Sequence, residues 1–337
     1  MRELEKVNLG IIGTGRIGRL HARNLKYLIP GVEVLGVADI LEKSAYEVAS
    51  QLDVPVVEKD YRVLLDNKNI NAVVICSSTD THAQIISEAA QAGKHIFCEK
   101  PIALELDKID QALAAVKKAG VKLQVGFNRR FDPSFKKAKE LVAKGAIGIP
   151  HLVKITSRDP EPPPISYVKV SGGIFLDMTI HDFDMARYLL GQEVTELMAV
   201  GSCLIDPAIG SAGDIDTAIV MLKYEKGAWG TIDNSRKAVY GYDQRIEVFG
   251  SEGCITVGNP KQTEVAVSNA EDIKTDKPLF FFVERYREAY LAEMEEFIKC
   301  IQKDQEPPVG GWDGKIAVEM GYAAKESLIK GSFIKLQ

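Results

Sequence analysis

The chain has 337 residues, more than one compact core usually holds, so we expect two domains. It is 46% hydrophobic and 26% charged, a composition that excludes disordered, collagen-like and disulfide-scaffold proteins. The 42 basic residues against 47 acidic ones give a formal net charge of -5, which argues against a protein that binds nucleic acid through its phosphates.

No run of apolar residues approaches the roughly 18 that a membrane helix needs. The mixed-charge start, Met1–Lys6, leads directly into a predicted strand and predicts no secretion signal. We expect reduced, mostly buried cysteines in a cytoplasmic protein that has neither a membrane nor a nucleic acid as partner. The cysteines have neither CxxC nor zinc-site spacing, and they are Cys76, Cys98, Cys203, Cys254 and Cys300.

The first 127 residues alternate short apolar runs with amphipathic segments, which is the pattern of βαβ units on a parallel sheet. The predicted strands are Val7–Ile12, Val32–Asp39, Ala72–Cys76, His95–Cys98 and Lys122–Phe127, with Val56–Val57 too short to assign. The predicted helices are Arg16–Tyr27, Lys43–Leu52, Thr81–Ala92 and Leu106–Ala119, the last two followed by Gly93 and Gly120 as helix stops.

The pattern changes after Phe127. The proline run Pro160–Pro164 excludes a helix there, because proline lacks the amide donor and clashes with the preceding turn. Consecutive strands joined by tight turns imply an antiparallel sheet. The predicted strands are Leu197–Cys203, Thr217–Tyr224, Ala228–Asn234, Arg245–Gly250 and Cys254–Val257, and the predicted helices are Pro133–Lys144, Gly172–Leu190, Val283–Gln302 and Lys315–Ile329, with a turn over 145–150.

The segment Gly13-Thr14-Gly15-Arg16-Ile17-Gly18 has the spacing G-x-G-x-x-G. It follows a predicted strand, opens a predicted helix, and has Asp39 at the end of the next strand, 21 residues on. Together these features form the dinucleotide-binding fingerprint, in which glycines let a pyrophosphate approach the backbone at a helix N-terminus. The alternative is three turn glycines in another kind of α/β domain.

Asp39 is the expected determinant of cofactor specificity. A carboxylate there accepts hydrogen bonds from both ribose hydroxyls and repels the extra phosphate of NADP. The next residue is Ile40, not an arginine that pairs with that phosphate. We therefore expect NAD as the cofactor, and a solvated acid at a strand end is the alternative.

Polar residues follow the predicted strand Ala72–Cys76. Ligands of open parallel sheets bind beyond the carboxyl ends of the strands, which makes this segment a candidate cofactor site. Capping of the next helix by Thr79 or Asp80 is an equal and compatible interpretation. The candidate cofactor-binding residues are Ser77, Ser78, Thr79 and His82.

Glu99-Lys100-Pro101 follows the predicted strand His95–Cys98 at the same edge of the sheet. A lysine beside a proline-fixed turn is well placed there to meet a ligand, and Glu99 is a further candidate for cofactor contact. An ordinary surface lysine is the alternative.

The predicted helix Gly172–Leu190 carries Asp177, His181 and Asp184, whose spacing of four and three residues places them on one face. A histidine near its ordinary pKa accepts a proton at neutral pH, and a neighbouring carboxylate orients it and steadies the imidazolium. The alternatives are a solvated helix face, acids that stabilise the helix N-terminus, and a metal site of histidine and aspartate. No further histidine has ligand spacing, so we expect no metal.

The glycine motif, the Glu99-Lys100-Pro101 turn and the stretch from Gly172 to Asp184 together resemble the Gfo/Idh/MocA oxidoreductases. Within that family the chain is most similar to members that oxidise inositol, in the stretches 126–133, 155–160 and 167–173, and the resemblance extends from Val7 to the helix around Tyr286. It implies an α/β Rossmann domain over residues 1–127 that binds NAD. Residues 128–337 then form an α+β domain with a large open, mainly antiparallel sheet for substrate binding and oligomerisation, and its C-terminal helices can return to the first domain.

The resemblance implies a catalytic set of Lys100, Asp177 and His181. In this set His181 takes the proton from a ring hydroxyl of myo-inositol while hydride leaves the same carbon for nicotinamide. Lys100 polarises the oxygen and contacts the cofactor, and Asp177 holds the imidazole. A polyol also requires several fixed polar groups, for which the candidates are Asn128, Arg129, Arg158, Asp159 and Tyr242, each otherwise a domain-interface or loop residue.

The resemblance also implies oligomer contacts through the open sheet. The strand segment Asp216–Leu222 carries apolar residues on both faces, so we expect a homotetramer, with a dimer as the fallback. The functional alternatives are a dehydrogenase of another sugar or inositol isomer, an NAD-using glycosidase, and a cofactor sensor that has lost catalysis. A sensor predicts loss of Lys100 or His181, and both residues are present.

Overall fold

The computed structural model describes residues 6–336, so the segment Met1–Lys6 lies outside the description except for its last residue. Among the described residues, each helix is too short or too polar to cross a lipid bilayer. The chain forms two compact units, one of residues 6–128 and 289–316 and the other of residues 129–288 and 317–336. The chain thus leaves the first unit at Asn128 and returns to it at Ala289.

The first unit is built on six parallel strands in the order β3-β2-β1-β4-β5-β6, which confirms the predicted Rossmann domain. The strands are β1 (Val7–Ile12), β2 (Val32–Ala38), β3 (Val56–Glu58), β4 (Ala72–Ile75), β5 (His95–Glu99) and β6 (Leu123–Gly126). The helices between them are α1 (Arg16–Tyr27), α2 (Glu42–Leu52), α3 (Arg62–Asp66), α4 (Thr79–Gln91) and α5 (Leu106–Ala119).

The core of this unit explains why the strands read as continuous apolar runs. All four residues of β4 are buried, because helices cover both faces of a parallel sheet. The returning segment contributes to the same core, where the Phe97 and Phe297 rings meet edge-on at 6.0 Å. The order of the strands reverses between β1 and β4, so the segments that follow these two strands lie at the position where such sheets bind ligands.

The second unit contains a seven-stranded sheet, β12-β11-β7-β10-β9-β8-β15, in which only β7 and β10 pair in parallel among the described strands. This confirms the predicted open, mainly antiparallel sheet. A short 3-10 helix, Asn128–Phe131, leads from one unit to the other. The strands are β7 (Pro150–Arg158), β8 (Val194–Ser202), β9 (Thr217–Tyr224), β10 (Trp229–Ser235), β11 (Asp243–Gly250), β12 (Gly253–Val257), the hairpin β13 (Ala266–Ser268) and β14 (Ile273–Thr275), and β15 (Ile334–Lys335).

Eight helices complete the described chain. They are α6 (Pro133–Ala143), α7 (Ile165–Val168), α8 (Ile174–Asp177), α9 (Ile180–Leu190), α10 (Pro207–Ser211), α11 (Phe282–Arg285), α12 (Arg287–Gln302) and α13 (Gly311–Lys330). As predicted, the prolines 160–164 are not helical, and α7 begins only after Pro164.

The seven-stranded sheet has one buried and one exposed face. Inward residues such as Val220 and Ile232 are fully buried, while side chains on the other face remain open to solvent. The exposed apolar side chains of this face, which we call the open sheet face, are Leu152, Val200, Ile219, Met221, Trp229 and Phe249.

Two predictions from periodicity were wrong. The predicted helix Gly172–Leu190 begins two residues later and is broken between α8 and α9. Gly172 and Gly173 have φ of 83° and 80°, outside the helical region, and the amide of Thr179 bonds the Ile174 carbonyl five residues back, a turn wider than an α-helix makes.

The second error is the strand β7, which we did not predict although it is central to the sheet. Its signal is the alternation of buried Val153 and Ile155 with exposed Lys154, in a strand that opens with a proline.

Candidate active site

The glycine turn between β1 and α1 has the shape that a dinucleotide pyrophosphate requires. Gly13 has φ of 92°, and a Cβ there would lie 2.5 Å from the backbone of Cys76 and Ser77. A Cβ on Gly18 would lie 1.9 Å from the Gly13 oxygen, so this glycine lets the helix approach the turn. A Cβ on Gly15 would meet nothing within 4 Å, and no side chain caps α1 there. The helix N-terminus is therefore open at Gly15, as NAD needs.

Asp39 lies directly after β2 and is held by the same turn. Its Oδ2 accepts from the Thr14 amide at 2.7 Å and from Thr14 Oγ1 at 2.9 Å, and its Oδ1 accepts from the Leu41 amide at 2.8 Å. These bonds fix the orientation of the carboxylate at the carboxyl end of β2, and its contact with the ribose hydroxyls stays a prediction. Thr14 is itself fully buried and bonds Ser44, so its hydroxyl positions Asp39.

The first turn of α1 contains the other two residues of the glycine motif. Arg16 is exposed and Ile17 is half-buried. Both therefore lie at the same open helix N-terminus as Gly15.

The segment after β4 forms a second helix N-terminus at this edge of the sheet. Ser78 occupies the N-cap position of α4 without a side-chain cap, so neither Thr79 nor Asp80 caps the helix. Ser77 Oγ lies 2.7 Å from Thr81 Oγ1. Ser77 is half-buried and Ser78 exposed, which leaves both accessible to a ligand.

His82 has a different environment from the serines. It is 2% exposed, and its Nδ1 and Nε2 lie 2.9 Å and 3.0 Å from the carbonyl oxygens of Pro101 and Ser77. Burial lowers the pKa of the imidazole. His82 thus lies between the loop after β4 and the turn after β5, and its one N–H donates to a carbonyl of one of them.

Glu99 ends β5, and Lys100 follows it as a half-buried residue joined to Pro101 by a cis peptide bond. The Glu99 Oε1 lies 2.8 Å from His21 Nε2. Lys100 is therefore placed at the carboxyl edge of the parallel sheet, where β1 and β4 also end.

In the second unit, Asp177 ends α8 and His181 lies in the first turn of α9. Asp177 accepts hydrogen bonds from the Tyr167 hydroxyl and from Arg236 Nη1, both at 2.9 Å. His181 is half-buried. Asp184, which we placed on the same face, is instead fully buried against Arg130 at 2.5 Å.

The buried guanidinium of Arg236 lies beside two carboxylates, those of Asp159 and Asp177. Arg236 is 2% exposed and lies 2.9 Å from Asp177 and 3.7 Å from Asp159. Its Nε and Nη2 are buried with no hydrogen-bond partner in the described structure. Burial raises the pKa of Asp159 to about 6, while Arg236 opposes the shift. These groups form a fixed set of donors and acceptors, which we call the Arg236 cluster (Tyr167, Asp159, Asp177 and Arg236).

Arg129 points its charge into the protein. Its guanidinium bonds Asp182 at 2.5 Å and Ser157 at 3.3 Å, and lies over the Tyr286 ring at 5.7 Å. Tyr242 is buried edge-on against the same ring at 6.0 Å. These partners hold the inner structure of the second unit.

The remaining two candidates have unlike surroundings. Arg158 bonds both carboxylate oxygens of Asp233, lies 3.3 Å from the Tyr240 hydroxyl and is partly exposed. Asn128 is buried at the start of the 3-10 helix.

Sequence reasoning missed Arg236 and Tyr167. Arg158 and Ser235 pair at the ends of the parallel strands β7 and β10, so the next residues, Asp159 and Arg236, meet at one edge of the sheet. This relation depends on β7, which we did not recognise. A correct prediction of β7 would have placed Arg236 beside Asp159.

Comparison with family models covers most of the chain. Residues 7–127 match a model described as an oxidoreductase family with an NAD-binding Rossmann fold. Residues 135–256 match the GFO/IDH/MocA C-terminal domain.

Two curated relatives match almost end to end. The chain is 51% identical to a myo-inositol 2-dehydrogenase of Thermotoga maritima, over 98% of this chain and 99% of the relative. It is 39% identical to a scyllo-inositol 2-dehydrogenase (NAD(+)) of Bacillus subtilis, over 98% and 96%.

Two solved structures are similar over 98% of the chain. A myo-inositol dehydrogenase from Corynebacterium glutamicum has a TM-score of 0.94 at 38% identity, with 99% of its chain covered. A myo-inositol dehydrogenase from Lactobacillus casei, in complex with NAD(H) and myo-inositol, has a TM-score of 0.89 at 28% identity, with 97% covered. The predicted family is thereby confirmed, and the chain belongs to the Gfo/Idh/MocA oxidoreductases, with an NAD-binding Rossmann domain.

Proposed function

We propose that this protein oxidises a ring hydroxyl of myo-inositol to the ketone, with NAD as hydride acceptor. The myo-inositol 2-dehydrogenase that is 51% identical over nearly the whole chain supports the substrate. The related structure that contains NAD(H) and myo-inositol supports the pairing of this cofactor with this polyol.

The cofactor-binding residues of the proposal come from the first unit. The amides at the N-terminus of α1, from Gly15 through Arg16, Ile17 and Gly18, receive the pyrophosphate, and Asp39, positioned by Thr14, accepts from the ribose. Gly13, whose own amide donates to the Ala38 carbonyl, shapes the turn that lets the pyrophosphate approach. Bound NAD supplies the site that accepts a hydride. The further residues of the set are Ser77, Ser78, Thr79, Glu99 and Lys100, with His82 acting through the loops that it connects.

The acid–base residues of the proposal are His181, Asp177 and Lys100. His181 accepts the hydroxyl proton at its imidazole as the carbon is oxidised, a transfer that a positioned base accelerates by about 10²- to 10⁴-fold. Asp177, held by Tyr167 and Arg236, steadies the imidazolium through its negative charge. Lys100 donates to the same oxygen as it gains carbonyl character.

The observation that carries the proposal is the Arg236 cluster. A polyol presents several hydroxyls, each both donor and acceptor, and its recognition requires polar groups whose positions are fixed before binding. Asp159 and Asp177 offer acceptors, and Arg236, which is itself buried, fixes the positions of both carboxylates. The other residues that we propose to contact the substrate are Asn128 and Arg158. Arg129 and Tyr242, which pack against the Tyr286 ring, support the site indirectly.

The isomer is tested by NADH formation with NAD and myo-inositol, scyllo-inositol, glucose and xylose, each repeated with NADP. We expect turnover on myo-inositol with NAD. The scyllo-inositol relative at 39% identity makes that isomer the second candidate. Turnover confined to scyllo-inositol or to a sugar overturns the substrate assignment. Tight NAD binding without net NADH from any polyol favours the NAD-using glycosidase.

We also propose that the open sheet face joins copies of the chain into a homotetramer, or failing that a dimer. Six large apolar side chains share this face, among them Ile219 at 51% and Trp229 at 42% exposure. Light scattering after size exclusion should report four subunits, and Ile219→Arg should dissociate them, whereas Val239→Arg in an exposed loop should not. A monomer at micromolar concentration rejects this assembly.

A cytoplasmic location remains a prediction from the cysteines, all five of which are free thiols within the described residues.

A further inference from the structure

Three buried side chains meet behind the Glu99-Lys100-Pro101 turn. His21 projects from α1, Glu99 ends β5, and Glu293 projects from α12, all within the first unit. His21 Nε2 lies 2.8 Å from Glu99 Oε1 and 3.8 Å from Glu293 Oε1. The side chains of His21 and Glu293 are fully buried, and that of Glu99 is 15% exposed. We call this group the Glu293 triad.

The hydrogen-bond pattern determines where the protons lie. The Nδ1 of His21 is buried without a partner, which favours the neutral tautomer with its hydrogen on Nε2, donated to Glu99. Both carboxyl oxygens of Glu293 are buried without a hydrogen-bond partner. An ionised carboxylate in that position has no donor to replace its lost hydration, whereas a neutral carboxylic acid has far less to lose.

We propose that Glu293 is a neutral, proton-carrying positioning residue that, together with His21, clamps the Glu99 carboxylate at the end of β5 beside Lys100. The triad then holds one negative charge, on Glu99, which accepts from His21, while the neutral Glu293 lies 3.8 Å from the same imidazole. Burial and the charge of Glu99 both raise the pKa of Glu293 well above its ordinary value.

The titratable groups around the triad are consistent with this charge. Cys76 after β4 and Cys98 on β5 face these carboxylates, and burial raises the pKa of both thiols well above their ordinary range. His82 on α4 faces Glu99, and burial lowers its pKa. In all three groups the shift favours the neutral form. The flanking groups on the remaining elements are Tyr290, edge-on to the His21 ring at 5.8 Å, and Gln124, which donates to the Glu293 backbone carbonyl at 2.7 Å.

The clamp has a mechanical consequence at the strand end. A Cβ on Gly126 of β6 would lie 2.9 Å from Glu99 Oε2, so the Glu99 carboxylate occupies the space that a side chain there would fill. It therefore packs directly against the backbone of β6 and has little room to move. Ionisation of Glu293 at alkaline pH therefore places a second negative charge in the same confined space. We expect the resulting repulsion to disturb the end of β5 and the lysine that follows it.

A divalent cation is the other species that two carboxylates and an imidazole at this spacing could bind. The direct 2.8 Å contact between His21 and Glu99 favours the proton, because that pair is already joined by a hydrogen bond. The metal content of the purified protein decides between them. One equivalent of zinc or manganese, lost in Glu293→Gln, overturns the proposal.

The protonation state is tested by infrared spectroscopy and thermal unfolding. Wild type at pH 7 should show a buried carboxylic-acid carbonyl band that Glu293→Gln lacks and that Glu295→Gln, an exposed neighbour on α12, retains. The raised pKa means that the folded state keeps a proton that the unfolded state loses above pH 4.5. The Tm of Glu293→Gln should therefore rise relative to that of wild type as pH increases from 5 to 8.

A variant-free measurement guards against misfolding of Glu293→Gln. Carbon-13 NMR of wild type labelled at glutamate carboxyl groups should show one resonance at pH 7 with the shift of a protonated acid. If each carboxyl resonance is that of a carboxylate, the proposal is wrong.

The positioning role is tested by the pH profile of kcat, and this arm alone rests on the proposed function. Wild type should lose kcat at alkaline pH with little change in KM for NAD, and Glu293→Gln should abolish that loss. The Glu295→Gln profile should match wild type. Identical profiles for wild type and Glu293→Gln reject the positioning role. If the protein turns over none of the polyols, the proposed function fails. The infrared and NMR measurements then still test whether Glu293 is protonated.

Discussion

Arg236 donates to Asp177 across 2.9 Å although the two residues are 59 positions apart in the chain. Arg236 follows the end of β10 and Asp177 ends α8, so the contact exists only once the sheet and the helices on it have packed. Asp159, at the end of β7, lies on the same guanidinium at 3.7 Å. One buried cation therefore holds two acids.

Arg236→Met should destabilise the protein and reduce activity together. Removal of the guanidinium leaves Asp159 and Asp177 buried without their cation, and breaking such a pair costs about 3–5 kcal/mol. We expect a lower Tm and a fall in kcat/KM of at least about tenfold, and Lys237→Met, at an exposed neighbour, should change neither. In the double variant Arg236→Met/Asp159→Asn, part of the stability should return, because one stranded charge is removed. Strict additivity of the two substitutions contradicts the cluster.

His181→Ala should lower kcat by about 10²- to 10⁴-fold while the dissociation constant of NAD stays within about twofold. Cofactor binding is measured by protein fluorescence and turnover by NADH absorbance. His151→Ala removes an exposed histidine of the same unit and serves as the matched control. An equal loss of NAD binding and turnover shows instead that His181 supports the structure.

Asp39→Ala should reduce the preference for NAD over NADP. A hydrogen bond to a charged group contributes about 1.5–3 kcal/mol, so we expect the ratio of the two kcat/KM values to fall by about 10- to 150-fold. Asp39→Asn should shift the ratio less, because it keeps an acceptor for the Thr14 amide. Glu42→Ala, at an exposed acid in the first turn of α2, is the control. An unchanged ratio in Asp39→Ala removes this residue from the ribose.

Asp159 should make the protein sensitive to pH near 6. Its folded pKa of about 6 exceeds the ordinary 3.8, so the folded state holds a proton between these values that the unfolded state has lost. The contribution of Asp159 to stability is therefore full below pH 3.8 and is lost as pH rises through 6, by about 3 kcal/mol in total. In denaturant unfolding, the free energy of unfolding of Asp159→Asn should increase relative to that of wild type as pH rises over this range.

The same titration should appear in the kinetics. Below pH 6 the Asp159 carboxyl is protonated and loses an acceptor position, so kcat/KM of wild type should fall with acid. Asp159→Asn should have a flatter acid limb. Parallel limbs for the two proteins rule out Asp159 as the titrating group.

The Rossmann unit could be predicted because its signals are local. Gly13, Gly15 and Gly18 lie within six residues, and the need for a positive φ and a close helix approach acts within one turn of chain. Buried parallel strands leave short apolar runs, so β1, β2 and β4 were recognised within a residue or two of their ends.

The predicted helix Gly172–Leu190 shows where periodicity fails. The apolar spacing continues across Met178 and Thr179, but Thr179 Oγ1 bonds Asn234 on β10 at 2.6 Å, and the chain turns wide there. A bond to a strand 55 residues away cannot be deduced from local spacing. The prediction that Asp177, His181 and Asp184 share one face of a single helix was therefore wrong. Asp177 and His181 nevertheless remain in the proposed catalytic set.

The sequence by itself determined the family, the cofactor class and the positions of the glycine turn, Asp39 and Lys100, because each depends on residues adjacent in the chain or at a strand end. Only the tertiary structure decided which side chains contact these residues. Arg236 reaches Asp177 only through the parallel pairing of β7 with β10, and Glu293 reaches His21 only because the chain returns to the first unit at Ala289. Contacts between distant segments depend on how whole elements pack, and no local pattern of residue types encodes that packing.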